Sequence, residues 1–153
     1  MAYHCGQFRE LISVVLAETD PALLSDSAVN LLLGTAAQES AFGTYLRQLG
    51  GGPALGAFQM EPRTFLWLKD KFENRYSVVN ERLPSELEWD LRLAIIMARL
   101  RYRVIPEPLP SPTDINGLAR YYKSHYNSIH GRATVEAFVR NYHHYVATSA
   151  SRS

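Results

Sequence analysis

The chain has little that could staple it together or attract a partner at long range. Cys5 is its one cysteine, so no disulfide can form within it. Sixteen Lys and Arg stand against fifteen Asp and Glu, a formal net charge of +1, and the two signs are interspersed. That gives no broad basic surface for nucleic acid and no like-charged tail. Long apolar runs are missing as well. The longest uncharged stretches, residues 27–38 and 48–60, fall short of the roughly 18 residues that suggest a membrane span. The first residues, "MAYHCGQFRE", lack the basic start and apolar stretch of a signal peptide. The expectation is a protein made in the cytoplasm that needs another route to any target outside it.

Apolar–polar alternation of the strand kind is scarce, whereas helical spacing recurs. In "FRELISVVLA", Phe8, Leu11, Ile12, Val15 and Leu16 share one helical face, and Asp20-Pro21 ends the run. A second helix starts near Ser25, with Asp26 or Ser27 able to accept its first free N–H groups. It is apolar on almost every side, which predicts a central, buried helix. Gly34 interrupts it at a cost of about 1 kcal/mol, and close packing of another element would explain that. Pro62 suits the first turn of a third helix, "PRTFLWLKDKF". Ser85-x-x-Glu88 reads as a capping box opening a fourth helix that runs to about Arg103. "IPEPLPSPTD" should be extended. Asp114 or Thr113 can cap a fifth helix over "INGLARYYK", and a sixth, near 134–147, turns Val135, Phe138, Val139, Tyr142 and Tyr145 inward. Residues 149–153 should fray. With 153 residues the chain fits one domain with a real core. The predicted fold class is mainly α, with a small β-hairpin in the 41–60 loop.

That loop carries the functional signal. Glu39 closes the apolar second helix, and the next twenty-one residues contain no acid but five of the chain's nine glycines. A long glycine-rich loop is uncommon in a compact domain unless it is functional. A carboxyl at the end of an apolar helix is poorly solvated, which raises its pKa toward that of a general acid near neutral pH. The competing reading is a solvated glutamate just past the buried stripe.

The residues that follow shift the balance. Glu39, Ser40, Gly56, Ala57, Gln59, Pro62 and Thr64 form the pattern E-S…G-A-x-Q-x-x-P-x-T. This resembles the signature of lysozyme-like lytic transglycosylases: Glu-Ser, a variable loop, Gly-Leu-Met-Gln, then Pro and Thr. Phe58 stands where the family usually has Met, and Glu61 at an ordinarily apolar position. The family's Ala-Tyr-Asn turn has two registers here. Either Tyr121 takes the tyrosine place with Tyr122 replacing the asparagine, or Tyr126-Asn127 matches literally. "YYKSHYNSIHGRATVEAF" is similar to the C-terminal part of phage-encoded members. The resemblance spans about residues 28–142 and leaves out the first 25.

The resemblance implies a lysozyme-like single domain acting on the glycan strands of peptidoglycan. Glu39 would be acid and then base, closing a 1,6-anhydro ring on muramic acid without consuming water. It implies no cofactor. Most glycosidases use two carboxylates. Hydrolytic lysozymes often place the second in the hairpin after the acid, and residues 40–60 hold none. Glu61 is the first candidate; favourable charge at a helix N-terminus is its other reading. Asp90 and Glu88 are expected to be structural. Gln59 can donate to an acetamido carbonyl and accept from a hydroxyl. Ser40 is either a sugar contact, a support for Glu39 or an ordinary helix-end serine. Gly56 would allow close approach of the glycan. One of Tyr121, Tyr122 and Tyr126, which cluster with Asn127, should contact Glu39.

The remaining signals point nowhere else. His4, His125, His130, His143 and His144 form no i, i+4 pair enclosing a Glu, so a zinc-protease helix is not expected. Cys5 lies in what reads as a loose N-terminus. Without a signal peptide, a phage endolysin released through a holin, or a virion component, is the expected context. Two other classes stay open. One is a chitinase or hydrolytic lysozyme with a second carboxylate drawn from residues 61–90. The other is a glycan-binding or virion structural module without catalysis.

Overall fold

A computed structural model of the protein describes residues 1–127 and 131–147. It has six α-helices: α1 Cys5–Thr19, α2 Asp26–Ser40, α3 Pro62–Phe72, α4 Leu91–Arg103, α5 Ile115–His125 and α6 Val135–Tyr142. Short 3-10 turns lie at Pro21–Leu23, Ser77–Val79 and Pro84–Glu88, and a π-type turn, His143–Ala147, follows α6. None of these helices is long and apolar enough to cross a membrane. The fraying expected for residues 149–153 falls outside the described residues.

Five of the six helix starts are held by side chains that take a free N–H in the first turn. His4, Ser25, Asp90, Asp114 and Thr134 do so for Gln7, Ala28, Leu93, Gly117 and Ala137. Ser25 thus caps α2 from one residue before the expected caps. The sixth helix, α3, starts at Pro62, whose missing N–H needs no partner there.

α2 lies at the centre, in contact with α1, α4, α5 and α6. Ten of its fifteen residues are buried, as its apolar surface predicts. Gly34 is explained by α6: a Cβ there would sit 2.3 Å from the Phe138 ring. Glycine lets that ring lie against the α2 backbone. On the α4 side, the buried Thr35 hydroxyl donates to Leu31 O at 2.7 Å and meets the Tyr102 hydroxyl at 2.8 Å. No buried side-chain polar atom among the described residues is left without a partner.

α1 belongs to the same core, although it lies outside the stretch that carries the family pattern. It buries Cys5, Phe8, Ile12, Val15 and Leu16. The N-terminus is therefore not loose. Tyr3 donates its backbone N–H to Phe42 O at 2.9 Å, and Cys5 is 4% exposed.

Two other expectations are corrected. The 41–60 loop forms no hairpin strands. It has two isolated antiparallel bridges, Arg47 with Leu55 and Leu55 with Met60. The chain turns back again at Gly56–Gln59, so neither pairing can propagate into a ladder. Ser85 does not open α4 either. The Glu86 carboxylate accepts the Leu83 N–H at 2.6 Å and pairs with Arg82, which closes the Pro84–Glu88 turn separately. Asp90 then starts α4 and also binds Arg82. Asp90 and Glu88 are structural as expected, the latter paired with Arg47.

Candidate functional site

The order of burial along α2 fixes where Glu39 can go. The helix is continuously buried from Leu31 through Ala37, and Gln38 and Glu39 are the next residues to regain solvent. The chain must leave α2 at once to form the loop. It does so through three successive left-handed residues, Ala41, Phe42 and Gly43, with φ of 49°, 60° and 80°. Two non-glycine residues in that region cost of order 1–3 kcal/mol each. Phe42 offsets this by burying its ring against Tyr3, Phe8 and Tyr145. At Gly43 a Cβ would stand 2.4 Å from the Tyr3 ring.

Ser40 serves this turn. Its hydroxyl donates to Ala36 O at 3.1 Å and accepts the Gly43 N–H at 2.8 Å, and the residue is fully buried. Of its three sequence readings, the geometry is that of the helix-end serine.

α5 supplies the partner for Glu39. The Tyr122 hydroxyl donates to Glu39 Oε2 at 3.1 Å. Tyr122 is wedged between Tyr126, with ring centres 5.9 Å apart, and Phe138, at 5.0 Å. Tyr126 is one helical turn further on and shares that face. Its hydroxyl donates to Phe58 O at 2.7 Å and so ties the glycine loop to α5. Tyr121 is rotated about 100° away. Its hydroxyl donates to Glu107 O at 2.9 Å, in a shallow groove on a different part of the surface. Of the three tyrosines it is Tyr122 that bonds Glu39, while Tyr126 and Asn127, the literal register, line the same cleft.

These elements enclose a cleft of about 670 Å³. Glu39 and Tyr126 form part of its wall, with Gln59, Met60 and Tyr45 from the loop. Glu61 and Thr64 come from the start of α3, and Asn127 from the end of α5. Gln59 has φ of 48° and donates its amide to Gly56 O at 3.0 Å. Its side-chain oxygen takes no hydrogen bond from any described residue. Asn127 accepts from Lys123 at 2.9 Å, and the same ammonium reaches Gly131 O at 2.9 Å. Gly56 is given over to packing within the chain. Its φ is 83°, and a Cβ would lie 2.3 Å from Leu87 O. The close backbone approach expected there is made by Leu87. Glu61 stands before Pro62 with no capping hydrogen bond and lies 3.4 Å from Arg63.

No protein-family model, curated protein or solved structure matches this chain. The chemistry of the site therefore rests on its geometry.

Burial pushes the Glu39 carboxyl from 4.5 up to about 7, and the Tyr122 hydroxyl pulls it back. Burial, with the nearby Glu39 charge, pushes the Tyr122 phenol up, so it remains a donor. Tyr126 is raised in the same way. Tyr45 is raised by its burial and by Glu39, which places it within electrostatic reach of the carboxyl. The site thus presents one carboxyl that exchanges its proton near neutrality, held by a phenol and open to a polar cleft. Among the described residues, no three His, Cys, Asp or Glu side chains gather as metal ligands would.

Among the cleft residues that the sequence reading did not single out are Tyr45, Arg101 and Arg132. Tyr45 carries a weak signal, since it lies six residues after Glu39 in the acid-free loop. Arg101 sits in the last turn of α4, where a cation is ordinary. Its side chain is half-buried and has no hydrogen bond or ion pair with any described residue. Arg132 follows Gly131 in the lining of the same cleft and is exposed.

Proposed function

We propose that this protein cleaves the β-1,4 linkage between N-acetylmuramic acid and N-acetylglucosamine in peptidoglycan, as a lytic transglycosylase with Glu39 as acid and then base. The supporting observation is the Glu39 carboxyl: raised to about 7 by burial, bound by Tyr122 and opening into a cleft large enough for an oligosaccharide. A proton held near neutral pH is what a leaving glycosidic oxygen needs. Glu39 gives its proton to that oxygen as the C–O bond breaks. The sugar's own 2-acetamido group stabilises the oxocarbenium-like centre, replacing a second carboxylate. The ionised Glu39 then takes the proton of the C6 hydroxyl as that oxygen bonds to the anomeric carbon. The ring closes, Glu39 is protonated again and no water is used.

The motif Glu39-Ser40 through Thr64, with its likeness to lysozyme-like lytic transglycosylases, adds to this reading, as does the polar lining from Gln59, Asn127 and Thr64. Ser40 and Gly56 serve the motif as backbone supports. No cofactor enters the reaction. The phage context inferred from the sequence, an endolysin released through a holin or a virion component, belongs to the same proposal.

Glu61 gives one observation in favour of hydrolysis instead, because it lines the same cleft. Mass spectrometry of the soluble products from purified peptidoglycan separates the two. Muropeptides lighter by one water than their hydrated forms, absent with Glu39→Gln, are expected. Reducing-end products would assign hydrolysis, with Glu61 as the second carboxylate. Near-normal cleavage by Glu39→Gln would end both readings.

A further inference from the structure

The charges lining the cleft do not cancel. Two acids and three arginines face it: Glu39, Glu61, Arg63, Arg101 and Arg132. Glu61 and Arg63 pair with each other at 3.4 Å. The desolvated Glu39 carboxyl, raised to about 7, is about half ionised near neutrality and so offsets only part of one charge. Arg101 and Arg132 remain, and neither makes an ion pair or hydrogen bond with a described residue. Arg47, Arg75, Arg82 and Arg92 have carboxylate partners, whereas Arg103, Arg120 and Arg140 also form no ion pair with a described residue but do not line this cleft.

Arg101 is the more telling of the two. It is half-buried on α4, near enough to the Tyr126 and Tyr102 hydroxyls for its charge to act on both. A guanidinium offers five donors in a planar fork, and leaving it partly desolvated without an acceptor is unfavourable. Its charge is not spent on Glu39, whose pKa is set by burial and Tyr122. A ligand carboxylate is the group whose shape and charge fit this fork.

We propose that Arg101 and Arg132 form an anion subsite that binds a carboxylate of the peptide stem carried by the glycan. It rests on the glycan reading given above. The subsite makes the cleft selective for acidic, peptide-bearing glycan over a neutral amino-sugar polymer. Peptide-free glycan, with a carboxylate on muramic acid itself, tests the other source of the same charge.

The experiment compares wild type, Arg101→Gln, Arg101→Lys and Arg132→Gln on three substrates: peptide-bearing glycan, the same glycan stripped of peptide, and neutral chitin oligosaccharides. Arg120→Gln, in the separate groove beside Tyr121, is the control. Losing one charge-assisted hydrogen-bonded pair corresponds to roughly a ten- to hundredfold change. Arg101→Gln is expected to lose about that much in kcat/KM on peptide-bearing glycan, through KM, and to lose far less on chitin. Arg101→Lys should recover part of the loss. Equal losses on the charged and neutral substrates, or none on either, would overturn the subsite. A loss confined to peptide-stripped glycan would overturn the stem as the source of the charge.

Calorimetric titration with a free stem peptide, L-Ala–D-Glu, keeps this proposal separate from the parent reading. Binding that weakens with salt and disappears in Arg101→Gln upholds the subsite even if no glycan is cleaved. Failure of wild type to bind the peptide overturns it even if cleavage is efficient.

Discussion

Replacing Glu39 with glutamine should stabilise the protein at neutral and alkaline pH and leave its stability in acid nearly unchanged. The folded state holds the carboxyl proton up to about pH 7, whereas the ordinary value is 4.5. Between those values the folded chain binds a proton that the unfolded chain has released. Stability therefore falls as pH rises through this window, and above it the full penalty of an ionised, desolvated carboxylate remains. At about 1.4 kcal/mol per tenfold change, the penalty for a fully desolvated group is about 3.5 kcal/mol. Because the carboxyl opens to the cleft, about 2–3 kcal/mol is the expected gain for Glu39→Gln. Glutamine keeps the shape, and its carbonyl can still accept from Tyr122. For a domain of this size the gain amounts to roughly 4–12 °C in Tm. Thermal unfolding of both proteins at about pH 4 and about pH 8.5 is the assay. An equal change at both pH values, or a loss at the higher one, would mean that Glu39 is not a raised carboxyl. The acid assignment would fall with it.

If Glu39 is the proton donor, kcat/KM should fall with an apparent pKa near 7 as pH rises, and a rate that keeps climbing above about pH 8 would contradict its role. Tyr122→Phe removes the hydroxyl that favours the ionised carboxyl, so this limb should move upward, read from the pH–rate profile; a downward shift would reverse the reasoning. Gly34→Ala should destabilise by about 1–3 kcal/mol in chemical denaturation, because its Cβ would sit 2.3 Å from the Phe138 ring. Gly56→Ala should cost at least as much, because the group it meets is a backbone carbonyl and φ is positive; a neutral result would refute the proximity of Leu87 O.

The sequence marked features whose cause is local. α3 begins at Pro62 and runs through Phe72 as read, because proline fixes the start and the apolar spacing carries it on. α2 was readable as the central helix for a similar reason: a segment apolar on all sides has nowhere else to go. The raised carboxyl at its end follows from the same fact. Features that depend on two distant segments meeting were not readable. Tyr121 and Tyr122 are adjacent in the chain but about 100° apart on α5. Which one meets Glu39 depends on how α5 and α6 dock on α2, and Phe138 on Gly34 belongs to that docking. Ser85-x-x-Glu88 has the spacing of a capping box, yet Asp90 takes the role because it can also hold Arg82. Arg101 looks like any cation in a last helical turn until the loop and α5 close around it.

The same distinction bears on the motif itself. Ser40, Gly56 and Glu39 belong to one sequence pattern, but they act at different levels. Ser40 holds the turn that ends α2, and Gly56 lets the loop lie against Leu87. Both fix the position of the wall opposite α5, and Tyr126 then fastens that wall through Phe58 O. The result is the balance at Glu39. Burial alone would make the carboxyl a weaker acid, slow to release its proton. Exposure alone would leave it ionised and unable to give one. The Tyr122 hydroxyl offsets part of the burial and brings the group to about 7. One carboxyl that must give a proton and then recover it works best when both forms are accessible near the working pH. In the proposed reaction, a carboxyl raised by burial and tempered by one tyrosine would serve both steps without a second acid.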